Sequence, residues 1–195
     1  MPMPSAWSPT LPDEVILNAA VLDYESGVAT RTVVGMAEGG HNFISGEERR
    51  HITADGIRTN ILGLRRVLRW VDTRFEGRFK QIPLSTMAKY LPGATVTAAG
   101  TPLVTTYVPA PAGHVLVAGD LYLKPRLNWA MSDGGWLYVE FPYGEIAEFP
   151  NIEAPDLEEG RMPYRMLAVV DPDAVGWTPD SPPFTVVHNA PAASP

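Results

Sequence analysis

The sequence predicts an all-β fold: a sandwich or barrel of antiparallel strands, one short flanking helix near 85–91, extended arms at both ends and a long loop. Three observations carry that reading. Twenty prolines and seventeen glycines interrupt the 195 residues too often for long helices. Between these breaks, aliphatic and aromatic residues alternate with polar ones, the period of a half-buried strand. Two such runs are joined by Ser132-Asp133-Gly134-Gly135, whose residues accept the positive φ angles of tight hairpin connections.

Taken in order, Pro2, Pro4, Pro9 and Pro12 make residues 1–13 an extended arm. Val15 to Leu22 reads as a strand that turns at Ser26-Gly27 and continues over Val28 to Val34. Residues 35–66, with Glu38-Gly39-Gly40-His41 and Asp55-Gly56, read as a long loop with little core of its own. Val67 to Pro83 alternates, Val67, Arg69 and Val71 against Leu68, Trp70 and Asp72, and is expected to be a strand. Ser85 is placed to cap a helix over Thr86 to Leu91, which Pro92-Gly93 stops. Leu103 to Val108 is a further strand. Leu121 to Met131 and Trp136 to Phe141 make the hairpin, and Tyr164 to Val170 is the last core strand. Residues 176–195 are rich in proline again and read as an extension. With no internal repeat and no second apolar core, 14–175 is expected to form a single domain.

Hydrophobic residues make up 45 %, enough for a real core. The absence of cysteine excludes disulfides, thiolate metal sites and a cysteine nucleophile, and it suits assembly in a reducing compartment. Met1 to Trp7 lacks the basic start and apolar stretch of a signal peptide, and no apolar run approaches the roughly 20 residues of a membrane span, so a soluble chain is expected. A net charge of −7 argues against tight, sequence-independent binding to DNA or anionic membranes. The charge is unevenly placed. Residues 49–80 hold nine basic side chains (Arg49, Arg50, Arg58, Arg65, Arg66, Arg69, Arg74, Arg78, Lys80), and 133–160 hold eight acidic ones and no base. Either the two runs balance within one subunit, or they are complementary surfaces that meet between copies.

No catalytic constellation emerges. Glu38 and His41 have a metal-ligand spacing, but Gly39-Gly40 between them opposes a helix and no second Glu or His stands at partner spacing. Ser26-Gly27 and Ser45-Gly46 lack the preceding glycine and following helix of a nucleophile elbow. Gly39-Gly40 and Gly134-Gly135 precede no Gly-Lys-Ser/Thr phosphate loop. No enzyme activity, metal or cofactor is expected. Trp70, Trp129, Trp136, Tyr138, Phe141 and Tyr143 gather around the hairpin, where packing competes with a stacking surface for sugars or bases.

The run from Glu76 to Ala94 resembles the tail-tube, or major tail, proteins of long-tailed bacteriophages. It holds a strand that ends in Gln81-Ile82-Pro83-Leu84-Ser85, one helix, and a Pro92-Gly93 exit. The Leu121 to Phe141 strand pair, an acidic connection and a closing strand at Tyr164 to Asp171 fit the same pattern, so the resemblance covers roughly residues 14–175. It implies a β-sandwich with a flanking helix, assembled as stacked hexameric rings in the virion tail. The expected partners are copies of itself and the tape-measure, tail-terminator and baseplate or tail-tip proteins, with DNA passing through unbound. Under this resemblance the charge split gives candidate inter-subunit residues: Arg49, Arg50, Arg65 and Arg66 on one side, and Glu145, Glu148, Glu153, Asp156, Glu158 and Glu159 on the other. Glu140 shares a face with Tyr138, opposite Leu137, Val139 and Phe141, and is the candidate for the lumen. Two other readings stay open, another ring-forming virion part such as a tail terminator or neck protein, and a sandwich module that binds carbohydrate or peptide through the Trp-rich hairpin.

Overall fold

Alternation and turn chemistry build the first hairpin, in which β1 (Ile16–Gly27) folds back as β2 (Thr30–Val33) just beyond Ser26-Gly27. The structure, a computed structural model, describes residues 16–28, 30–51, 65–81, 84–100, 104–131, 135–147, 161–171, 173 and 181–189. After β2 come two long strands, β3 (Met36–His51) and β4 (Arg65–Gln81). Helix α1 (Leu84–Tyr90) follows, then β5 (Thr95–Ala99) and β6 (Val104–Val108). A 3-10 turn at Ala118–Asp120 leads into β7 (Tyr122–Leu123), β8 (Arg126–Met131) and β9 (Trp136–Glu140). The described chain closes with β10 (Tyr143–Ile146), β11 (Met162–Val169) and β12 (Thr185–Asn189).

These strands form two five-stranded antiparallel sheets and one two-stranded ribbon. The first sheet has the order β12-β9-β8-β1-β2, the second β3-β4-β11-β10-β7, and the ribbon is β5-β6. The chain crosses from first to second sheet at Val34-Gly35, where the Val34 N–H still donates to the Leu22 carbonyl at 2.9 Å. It crosses back at Lys124-Pro125, helped by a left-handed φ of 43° at Lys124.

The core lies where the inner faces meet. On the first sheet Leu22, Leu127 and Val139 stand in one register row, all buried. Opposite them, Phe75 stacks on Phe141 with ring centres 3.8 Å apart, and Phe79 stacks on Tyr164 at 4.1 Å. Burying each such ring contributes about 2–3 kcal/mol, and the stacked geometry roughly 1 kcal/mol more. Helix α1 adds Thr86 and Tyr90 to this core; the Tyr90 hydroxyl donates to the Pro163 carbonyl at 2.8 Å.

A bulge keeps the aromatic face of β4 continuous. Between the pairs Gly46↔Val71 and Ile44↔Arg74, β4 uses one residue more than β3, and Asp72 takes a φ of 54°. Without that extra residue the side-chain alternation would put Trp70 and Phe75 on opposite faces. With it, both reach the same cluster, Trp70 through Phe184 and Phe43 to Phe75.

The all-β class and the lone short helix hold, and four expectations are corrected. The long loop expected at 35–66 is a strand over 36–51; its glycines are bulges at Gly39-Gly40 (φ 72° and 89°), not a departure from the sheet. Residues 52–64 lie outside the described residues. The extension expected at 176–195 contains β12, which pairs with β9, so 185–189 belongs to the sandwich. The acidic connection after Phe141 contains β10, paired on both sides by β7 and β11. Helix α1 begins at Leu84, which puts Ser85 inside its first turn, while the left-handed Gly93 lies just past its end as expected. The arm expected at 1–13 lies outside the described residues.

Candidate assembly surfaces

The outer face of the second sheet is charged. Register sets Asn42, Glu76 and Arg165 in one row and Arg74 in the next. Arg74 pairs with Asp72 and with Glu76 (2.9 Å), and Arg165 reaches Asp72 at 2.8 Å. At the glycine bulge Glu38 receives Arg161 at 2.7 Å and Lys80 at 3.7 Å. A shallow groove of about 550 Å³ runs between these groups and the glycines. Most of its charges are paired within the subunit, and the lining keeps three arginines (Arg74, Arg78, Arg165) against two glutamates (Glu38, Glu76). Arg78, on the same face, has no ion-pair partner among the described residues.

Directly beneath, on the inner side, is His41. Its Nδ1 lies 2.5 Å from the Tyr164 hydroxyl, and its ring meets Phe79 and Tyr164 edge-on. Burial pushes the imidazole down to about 4 and holds the phenol well above its usual range. With both groups neutral, His41 Nδ1 and the Tyr164 hydroxyl share one hydrogen bond whose direction follows the imidazole tautomer. Gly77 makes this possible, since a Cβ there would stand 3.1 Å from the Gly40 carbonyl and the Tyr164 ring and 3.2 Å from His41 Nδ1. Glu38 and His41 therefore serve different partners on opposite faces.

On the outer face of the first sheet, Asp23 accepts Arg31 at 2.6 Å, the Asn128 amide at 2.9 Å and Arg126 at 3.4 Å. Glu140, the lumen candidate, lies on this face in the row Asp23–Arg126–Glu140–Thr185. It is half-buried and paired with Arg31 at 3.6 Å. Burial raises its pKa, opposed by Arg31, Arg126 and Lys124. Its charge is largely spent inside this cluster. Next to it, Trp136, Tyr138, Asn128, Asn189 and Arg126 line a groove of about 320 Å³. Trp136 is 49 % exposed, and the Arg126 guanidinium covers the Tyr138 ring at 4.6 Å.

Of the predicted inter-subunit residues, Arg49, Arg50, Arg65 and Arg66 stand at register positions of the β3–β4 hairpin: Arg50 opposite Arg66, Arg49 opposite Val67, Arg65 opposite His51. Glu145 lies on β10 opposite Leu167, half-buried and without an ion-pair partner among the described residues. Glu148, Glu153, Asp156, Glu158 and Glu159 lie outside the described residues. Arg74 and Lys80 of the basic run are paired within the subunit, through Asp72, Glu76 and Glu38. The sequence marks Glu38 only by its spacing to His41; its pairing with Arg161 follows from the bulge at Gly39-Gly40 and has no signal in a local window.

Among the described residues no group of three or more His, Asp or Glu is placed to hold a metal, and no helix is long and apolar enough to cross a membrane. No protein-family model matches the chain, and no curated protein matches it significantly.

Proposed function

We propose that the chain is a structural subunit of a phage tail tube, joining copies of itself into rings and stacking the rings into a hollow conduit for DNA. The observation that carries this reading is the reach of the β3–β4 hairpin. Strands of 16 and 17 residues are about three times the usual length. β11 pairs with β4 only from Arg74 to Phe79. Residues 46–51 and 65–71 run on as a ladder of two strands, with no third among the described residues. Such a ladder is marginal alone in water. Its far end carries Arg49, Arg50, Arg65 and Arg66, with Arg50 and Arg66 at facing register positions. The edge strands β2, β3, β7 and β12 have free sides among the described residues, and joining edges around a ring removes that hazard.

The test is charge reversal. Arg65→Glu with Arg66→Glu should shorten or abolish polymers, scored by electron microscopy; tubes of normal length and stability in that variant count against the role of the hairpin. A terminator or neck protein built on the same sandwich would give single rings instead of tubes. One observation favours a second reading, a carbohydrate-binding module. The groove beside Trp136 offers an exposed indole and is lined by Asn128, Asn189 and Arg126. Stoichiometric glycan binding by a monomer, lost on Trp136→Ala, would favour that module over the tube.

A further inference from the structure

We infer that the open face of the β5–β6 ribbon docks on a second copy of this chain, in the apolar groove beside β7. The inference rests on the self-assembly reading and adds the surfaces that meet. Three observations lead to it.

The first is the ribbon's isolation. β5 and β6 pair with each other and form their own sheet, with no ladder to either five-stranded sheet among the described residues. Register divides the ribbon into two faces. One carries Thr95, Thr97, Ala99, Val104, Thr106 and Val108, all exposed, with Val104 at 59 % and Val108 at 53 %. The other holds Thr105 and Tyr107, which are partly covered, beside the exposed Val96 and Ala98. A flat face of β-branched and small residues on a lone pair of strands is a poor surface to leave in water.

The second is charge. From Leu91 through Gly119 the chain has no Asp, Glu, Lys or Arg. Two copies each carrying −7 repel, and a contact through this ribbon brings no further like charges together. The same stretch lacks what other ligands need. It has no cation for nucleic acid. It has no Asn, Gln or Arg and only one aromatic, Tyr107, to hold a sugar. Its strands of five residues are shorter than the roughly 9–11 that cross a bilayer.

The third is a receptor on the same chain. Leu116, Val117, Leu121, Tyr143 and Val169 line a mainly apolar groove of about 260 Å³ beside the short edge strand β7, with Asp171 at one side. Val117 is 59 % exposed at its lip. Ribbon and groove are different surfaces, so the contact is head-to-tail and leaves one of each free at the ends of any chain of subunits. An arrangement of that kind propagates into rings or filaments rather than stopping at a dimer.

The experiment uses two full-length variants, each checked for native circular dichroism and for a single unfolding transition. Val104→Asp spoils the ribbon and keeps the groove; Val117→Asp spoils the groove and keeps the ribbon. Each alone should need at least a tenfold higher concentration to associate in sedimentation velocity, while Val104→Thr behaves as wild type. Mixed in equal amounts, the two Asp variants should form a dimer and nothing larger, because one intact ribbon meets one intact groove. If wild type associates and Val104→Asp associates equally well, or if the mixture stays monomeric, the inference is overturned and the self-assembly reading stands. If wild type itself stays monomeric at all concentrations, both fail together.

Discussion

The buried His41–Tyr164 pair makes the stability of this protein depend on pH in a specific way. His41 is held neutral: burial lowers its pKa from 6.5 to about 4, and its Nδ1 shares a hydrogen bond with the Tyr164 hydroxyl. The unfolded chain takes up the proton more readily than the folded one, so stability falls as pH drops from about 6.5 towards 4 and levels off below it. Integrated from pH 7.5 to 4.5, that shift is about 2–3 kcal/mol of lost stability from this one group. Carboxylates also titrate in this range, so the informative quantity is a difference. In His41→Gln the amide replaces the imidazole with a neutral group. Urea denaturation of both proteins at pH 7.5 and 4.5 should show wild type losing about 2–3 kcal/mol more than the variant. Equal losses in the two proteins would refute the buried, neutral assignment.

Three further outcomes follow from the packing. Gly35→Ala puts a Cβ 2.6 Å from the Gln81 carbonyl and 2.8 Å from the Phe79 ring, at the crossing between sheets. Because a backbone atom must give way, a loss of about 2–3 kcal/mol is expected in urea denaturation. Phe75→Ala removes one half of the stack with Phe141 and should cost about 3–5 kcal/mol, read as a drop of roughly 10 °C in Tm. Phe184→Ala removes the ring that bridges Phe43 and Trp70, each 5.1 Å away. A cost of about 1–2 kcal/mol is expected, with the β12 amides exchanging their hydrogens before those of the rest of the sandwich.

The sequence displayed the parts of this fold that alternation governs. The β8–β9 hairpin around Asp133-Gly134 and the strand through Trp70 and Phe75 follow from periodicity and turn residues alone. What it concealed lies where a local rule is broken and the sheet absorbs the break. Gly39-Gly40 looks like a loop, yet the ladder resumes at His41 because Gly77 opposite leaves room for the Gly40 carbonyl and the Tyr164 ring. Thr185 to Asn189 sits among prolines, and only the pairing of Val187 with Tyr138 and the docking of Phe184 make it a strand. These are contacts between residues far apart in the chain, invisible to a window of neighbours. The same limit holds for the charged residues. The basic run was legible as composition, but Arg74 turns to Asp72 and Glu76 beside it rather than to a distant acidic segment. The Trp136 groove had a visible signal in its aromatics, whereas Asn128 and Asn189 join it only through the β8–β9–β12 register.

The proposed self-assembly is decided by negative-stain electron microscopy of the purified protein. Rings with a central hole, stacked into tubes as concentration rises, are expected. Isolated particles of single-chain size at every concentration would contradict the proposal.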